Sequence, residues 1–320
     1  RMYDVRQAKR LFGFIGSGEV VARITGAFSV PLLLGLMGVE NLLLLSATAL
    51  AGCGVMLTLV MRLPAPAEAD AAGEAKGPKE KADRKGLVRR VLSDRYLRLI
   101  VLVAFLAILG KYFVDFAFLG AMKGRYADTE RLATFFGLFS GVSQTLSLLT
   151  RTFVSGRLLN RYGIRLGVLV LPATHMVCTV GIVLVGLFSP ESAVVFWLVI
   201  ANQGIYKTLK HPIDNPTFKV LYQPLKKEQR LATQIAVETI VNPVGLGVAG
   251  AVMLIFSAVL PYDPVHFSWA LLLTFGIWFY VARQAGREYG VALVRALENR
   301  IEDIPFVFDD DEGLAVIERT

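Results

Sequence analysis

Residues 99–122 read LIVLVAFLAILGKYFVDFAFLGAM, an apolar stretch interrupted by only two charged residues, Lys111 and Asp115. A helix needs about 20 apolar residues to cross the hydrocarbon core of a bilayer, so this stretch predicts a membrane span. Hydrophobic residues make up 54% of the 320 residues and charged residues 19%, and the mean hydropathy is +0.55. These values are typical of a multi-pass membrane protein and argue against soluble domains.

Apolar blocks of similar length recur along the chain, separated by short or polar connections. Each block is long enough for a helix, which satisfies its backbone hydrogen bonds internally as a bilayer requires. The sequence therefore predicts an all-α membrane protein with eight visible transmembrane helices. The predicted spans are 11–37, 41–61, 99–122, 132–154, 166–188, 193–211, 231–260 and 266–282.

Basic residues are distributed unevenly between the two sides of these spans. The connections rich in Lys and Arg are 1–10, 62–98, 157–165, 207–230 and the tail after 283. The opposite connections contain only Lys123, Arg125 and Arg131. Because cytoplasmic loops carry the excess of Lys and Arg, we expect the basic side to face the cytoplasm. The expected location is the inner membrane of the cell. The net charge of +8 then reflects topology, and no nucleic-acid partner is expected.

The connection after the second span differs in composition from the rest of the chain. Residues 64–86 contain no Val, Ile, Leu or aromatic residue, so they predict a flexible cytoplasmic linker. The basic, amphipathic residues 87–98 are expected to lie on the inner leaflet. Six spans follow, as in carriers that pair two six-helix halves, so the layout predicts helices five to twelve of a twelve-helix carrier. The predicted regions are 1–61, the last two spans of a first half; 62–98, the linker and amphipathic segment; 99–283, the second half; and 284–320, an acidic cytoplasmic tail.

The connection after the fourth predicted span carries a recognisable motif, SGRLLNRYGIR at 155–165. It resembles the cytoplasmic signature of the major facilitator superfamily, with Gly156, Arg161 and Gly163 at matching places. Asn160 stands where the family usually has Asp. The alternative is an ordinary basic loop, in which glycine permits the turn and arginines hold it at the interface.

Two longer stretches carry a more specific resemblance. The sequences VRQAKRLFGFIGSGEVVARITGAF near the start and GIYKTLKHPIDNPTFKVLYQPLKKEQRLATQIAVETIVNPVG after the sixth span resemble the bacterial branch of the ATP/ADP translocase family. The resemblance covers roughly residues 1–285. It implies a major-facilitator-like helical bundle, exchange of nucleotides, and HEAT-type helical repeats downstream of the membrane region.

Charged residues inside spans are the candidates for substrate binding, because an ionisable side chain in hydrocarbon is costly unless it faces a cavity or a partner. Glu19 and Arg23 are four residues apart in the first span, as are Lys111 and Asp115 in the third, so each pair can share one helical face. In the functional interpretation, Arg23 and Lys111 bind phosphates and the acids hold them when the site is empty. In the structural alternative, the two opposite charges of each pair neutralise each other within the helix, which lowers the cost of inserting that helix into the membrane.

The end of the sixth span and the seventh span supply the remaining candidates. Lys207 and Lys210 are expected at a basic cytoplasmic mouth that concentrates anions, or as ordinary positive-inside residues. Glu238 and Asn242, followed by Pro243, predict a kink and are either gate elements or polar contacts between helices. The remaining gate candidates are Arg157 and Arg161.

The sequence shows no Ser/His/Asp or paired-carboxylate constellation, and its three histidines are widely scattered, so an enzyme is not expected and neither a cofactor nor a metal is predicted. The three readings of function are a nucleotide exchanger working by alternating access, a carrier of another organic anion, and a non-transporting anchor for a cytoplasmic repeat or nucleotide-binding domain. The expected partners are a nucleotide or other organic anion and the lipid bilayer.

Overall fold

The computed structural model describes residues 5–62, 94–189, 192–259 and 264–302. Within these ranges the chain is almost entirely helical and contains no strand, which confirms the predicted all-α fold. The α-helices are α1 Val5–Met61, α2 Arg95–Arg125, α3 Thr129–Leu149, α4 Gly156–Phe188, α5 Ala193–Leu209, α6 Asn215–Leu221, α7 Lys227–Ala236, α8 Asn242–Val259 and α9 Pro264–Glu302. Residues 63–93 of the predicted linker and amphipathic segment 62–98, and residues 303–320 of the predicted tail 284–320 with its expected entry to helical repeats, lie outside the described residues.

Two of the long helices are interrupted by a glycine with a positive φ angle. Gly38 has φ 75° and breaks α1, and Gly163 has φ 71° and breaks α4. This left-handed conformation is open to glycine at little cost, whereas a side chain would be strained there. The breaks fall at the connections predicted near Glu40 and within 157–165, so α1 and the continuous helical stretch Thr129–Phe188 each account for two predicted spans.

Among the described residues, four continuous helical stretches are long and apolar enough to cross a membrane. They are Gly18–Leu59, Arg95–Arg125, Thr129–Phe188 and Gln229–Ala258. The first and third contain the glycine breaks, and α5 and α9 coincide with the two other predicted spans. The protein is therefore an all-α, multi-pass membrane protein.

Helix α2 is central to the packing. It contacts α5, α8 and α9, and α9 also packs along α4. The interior between these helices holds Phe275 and Trp278, which are almost completely buried. The predicted last span ends at 282, but α9 continues without interruption to Glu302, and Glu288 on this extension pairs with Arg95 at 3.1 Å.

Helix α1 packs mainly on α3 through small residues. A Cβ atom on Gly137 would lie 2.8 Å from Val30 Cβ, and one on Gly141 would lie 2.9 Å from the Phe28 ring. Glycine at both positions therefore permits a close approach of the two helices, as is common in membrane bundles. The rest of α1 exposes large apolar residues, for example Leu36 and Leu43.

Three short π-helical segments interrupt the regular helices: Thr150–Ser155, Lys210–Asp214 and Val237–Val241. The third directly precedes Asn242 and Pro243, where the sequence predicted a kink. Proline removes a backbone donor and crowds the preceding turn, which accounts for the wider helical turn there. Ser155 in the first segment donates a hydrogen bond to the Pro212 carbonyl in the second, so these two segments are in contact.

Candidate substrate cavity

A cavity of about 980 Å³ opens between α2, α3, α5, α6 and the α7–α8 stretch. Its volume falls near the upper end of the usual range for small-molecule sites. The charged and polar residues that line it are Lys111, Tyr112, Ser140, Gln144, Tyr206, Lys207, Lys210, His211, Asp214, Asn215, Lys219, Tyr222, Gln234, Glu238 and Asn242.

Lys111 and Lys207 lie at one level near the middle of the bundle. Asp115 on α2 accepts a hydrogen bond from Gln203 Nε2 on α5 at 2.8 Å, which aligns these two antiparallel helices. Lys111 lies four residues before Asp115, and Lys207 lies four residues after Gln203, so both lysines are one turn away from this contact in the same direction. Lys111 is also sixteen residues from the start of the 31-residue helix α2, about 24 Å along its axis.

Neither lysine forms a salt bridge with a carboxylate of the described residues. Lys207 Nζ donates to Ser140 Oγ at 3.3 Å and lies 5.0 Å from the centre of the Phe139 ring. Lys111 Nζ lies 4.4 Å from the centre of the Tyr112 ring. Within the described part of the chain, no carboxylate oxygen approaches either ammonium group within 4.0 Å. The inner part of the cavity therefore holds two positive charges supported by hydroxyl and aromatic contacts.

The third cavity lysine is in a different situation. Lys210 Nζ pairs with Asp214 Oδ2 at 2.5 Å across the second π segment, and the two side chains are only 27% and 11% exposed. This pair is neutral overall. The cavity lining contains four lysines but only two carboxylates, Asp214 and Glu238. The cavity therefore retains an excess of positive charge.

The two pairs that the sequence placed on single helical faces differ in the structure. Glu19 and Arg23 form a salt bridge on α1, but both are substantially exposed and neither lines the cavity. The charges of Glu19 and Arg23 nevertheless act electrostatically on His211, which belongs to the cavity lining. Lys111 and Asp115 do not pair with each other, because Asp115 bonds to Gln203 while Lys111 faces the cavity.

The candidate gate residues fall into two groups. Arg157 and Arg161 are exposed near the Gly163 break and do not line the cavity; Arg157 Nη1 donates to the Phe153 carbonyl at 3.3 Å, and Arg161 lies over the Tyr162 ring. Glu238 and Asn242 do line it, at and just after the third π segment.

Sequence reasoning missed several lining residues. Gln144 and Gln234 are polar residues in predicted spans, and Gln234, Glu238 and Asn242 recur every four residues, a signal that could have identified one helical face. Ser140 carries no such signal, because serine is common in membrane helices. Its role became visible only from its contact with Lys207.

The fold and this cavity define a polytopic membrane transporter. The profile described as Major Facilitator Superfamily matches residues 1–208, more than half of the 320 residues, and the chain therefore belongs to that superfamily.

Among curated proteins, the chain is similar to "ADP,ATP carrier protein 1" of Chlamydia pneumoniae, with 25% identity over 179 residues. The match covers 52% of this chain and only 34% of the carrier's length. No solved structure matches the chain significantly.

Proposed function

We propose that this protein exchanges nucleotides of the ATP/ADP type across the inner membrane by alternating access. The observation that carries the proposal is the pair of mid-bundle lysines, Lys111 and Lys207, which line one cavity without a carboxylate partner among the described residues. An ammonium group inside a membrane protein is costly, so two that form no ion pair among the described residues favour an anionic ligand that pairs with them when it binds.

Phosphate groups fit this charge pattern. Lysine binds phosphate as a compact point charge, and the nearby Ser140 hydroxyl can donate a further hydrogen bond. Lys210 can join when a phosphate competes with Asp214 for its ammonium group. The similarity to an ADP,ATP carrier supports a nucleotide as the source of these phosphates.

We assign the π segments Lys210–Asp214 and Val237–Val241 as the points at which the helices bend during the transport cycle. Substrate sites of secondary transporters lie near the midplane, and irregular helix segments beside them permit movement. Both segments contribute side chains to the cavity wall, so a ligand contacts the parts of the helices that bend.

Gating is assigned to residues at one of these bends and beside the Gly163 break. Glu238 lies within the π segment Val237–Val241 and Asn242 directly follows it, whereas Arg157 and Arg161 lie near the Gly163 break on the basic side of the chain's connections. The arginines are placed to hold the cytoplasmic junction between the two spans of that stretch.

The direct test is transport by the full-length protein in proteoliposomes. We expect uptake of labelled ATP that requires ADP or ATP inside the vesicles. Uptake of another organic anion without nucleotide uptake would favour the carrier of a different substrate. Intact, monodisperse protein with no transport of either would favour a membrane anchor or sensor.

A further inference from the structure

The α7–α8 wall of the cavity carries a stripe of polar side chains that the lysines do not explain. Gln234, Glu238 and Asn242 follow one another at intervals of four residues, the apolar Leu246 continues the row, and all four line the cavity. They lie on one helical face that crosses the third π segment, with the lysine-bearing helices α2 and α5 forming another part of the lining.

The polar groups of this stripe have no partner within the described residues. Neither the Gln234 nor the Asn242 carboxamide makes a hydrogen bond there, and no cation lies within 4.0 Å of Glu238. Polar groups inside a membrane protein are normally satisfied by neighbouring helices or by the contents of a cavity. Glu238 is exposed and Gln234 and Asn242 are partly exposed, so these three polar groups in one row on the cavity wall are free to contact a polar ligand.

Aromatic rings lie close to this stripe. Phe218 and Tyr222 line the cavity and contact each other edge to face, with ring centres 5.3 Å apart. Burial, and then the negative charge of Glu238, raise the pKa of the Tyr222 hydroxyl, so the charge of Glu238 reaches this ring. Glu238 and the two rings thus belong to the same part of the cavity.

The charge of Glu238 distinguishes the stripe from the two lysines, although Lys219, next to Phe218, also lines the cavity. Glu238 repels phosphates, whereas Lys111 and Lys207 attract them. A nucleotide can satisfy both ends only if its phosphates lie at the lysines and its uncharged base lies at the stripe.

We infer that Gln234, Glu238 and Asn242, together with the rings of Phe218 and Tyr222, form the subsite for the base of the nucleotide, and that this subsite selects bases with an exocyclic amino group. The inference rests on the proposed function and adds the part of the substrate that phosphate binding does not specify. An ionised carboxylate only accepts hydrogen bonds, so Glu238 requires a donor such as an amino group. A carboxamide offers a donor and an acceptor together, which matches the edge of adenine, and aromatic rings stack on any base.

The test compares three ligands on the full-length protein in detergent by equilibrium binding: ATP, purine riboside triphosphate, which lacks the amino group, and inorganic tripolyphosphate. We expect wild-type protein to bind ATP about tenfold more tightly than purine riboside triphosphate, the effect of one hydrogen bond to a charged group. Glu238→Ala is expected to remove this difference without weakening tripolyphosphate binding. Gln234→Ala and Asn242→Ala are expected to weaken both purine nucleotides, because a carboxamide donor also bonds ring nitrogens that the two bases share, and to leave tripolyphosphate binding unchanged.

Controls separate the base subsite from general damage. Glu298→Ala and Gln284→Ala remove the same chemical groups from α9, outside the cavity, and should leave all three affinities unchanged. Glu238→Gln keeps the size of the side chain but removes the charge, so it should strengthen tripolyphosphate binding while reducing the preference for ATP. The melting temperature of each variant is measured alongside.

The outcomes distinguish this inference from the function on which it rests. Equal affinity of the wild type for ATP and purine riboside triphosphate, or a parallel loss of all three ligands in Glu238→Ala, would overturn the base subsite and leave nucleotide exchange standing. Failure of the wild type to bind either ATP or tripolyphosphate would overturn the proposed function and the subsite with it.

Discussion

Glu19 and Arg23 on α1 have the same four-residue spacing as Lys111 and Asp115 on α2, yet the structure treats the two pairs differently. The α1 pair closes on itself at an exposed position, with 61% and 46% of the side chains accessible. On α2, Asp115 turns to Gln203 of another helix and leaves Lys111 in the cavity. The spacing makes an intrahelical pair possible, but a neighbouring helix that offers a better partner decides whether it forms.

A third pair with this spacing, Lys210 and Asp214, extends the comparison. It forms as the α1 pair does, but it is largely buried and lies in the cavity wall. The three pairs therefore differ in how deeply they are buried and in which partner each charged residue finds. Their mutational effects should follow the same order.

The largest effect on stability is expected at the buried pair. Asp214→Leu leaves the Lys210 ammonium group without a partner in a poorly solvated position, which should cost about 3 kcal/mol. Replacing both residues, Lys210→Met with Asp214→Leu, should recover most of this loss. Thermal unfolding of detergent-solubilised protein measures both; a double variant no more stable than the single one would contradict the assignment.

The next effect concerns the contact between α2 and α5. Asp115→Leu removes the acceptor for Gln203 Nε2, and Gln203 Oε1 is already buried without a partner, so the amide becomes wholly unsatisfied. We expect a loss of about 1–3 kcal/mol in the free energy of unfolding. The double variant with Gln203→Leu should be more stable than Asp115→Leu alone. If Asp115 were instead the partner of Lys111, the rescue would come from Lys111→Met.

The smallest effect is expected at the exposed pair on α1. Glu19→Gln and Arg23→Gln should each change stability by less than about 1 kcal/mol, since exposed ion pairs contribute little. The same unfolding measurement applies. A loss as large as that of Asp214→Leu would show that α1 packs against further structure that buries this pair.

Much of the fold could be predicted from the sequence because its signals are local. Runs of apolar residues mark the spans, and the glycines at 38 and 163 fall at predicted connections. The kink before α8 follows from Pro243 alone. The extension of α9 beyond 282 was not anticipated, because residues such as Arg283 and Arg287 end the apolar run without ending the helix.

The candidate site was less predictable because its contacts are long-range. Nothing near Asp115 in the sequence identifies Gln203, 88 residues away, as its partner. The support of Lys207 by Ser140 depends in the same way on how α3 and α5 pack. Lys111, in contrast, stood out from sequence alone, since a lysine in the middle of an apolar span needs an explanation.

Nucleotide exchange as proposed requires most of all that Lys111 and Lys207 bind the phosphates of the nucleotide. ATP affinity of full-length Lys111→Gln and Lys207→Gln protein tests this directly, with Arg23→Gln as the matched control outside the cavity. Each lysine variant should lose about 1.5–3 kcal/mol of binding free energy, or roughly ten- to hundredfold in affinity, with little change in melting temperature because no carboxylate loses its partner. Arg23→Gln should bind ATP nearly as well as the wild type. Unchanged ATP affinity in both lysine variants would contradict the claim.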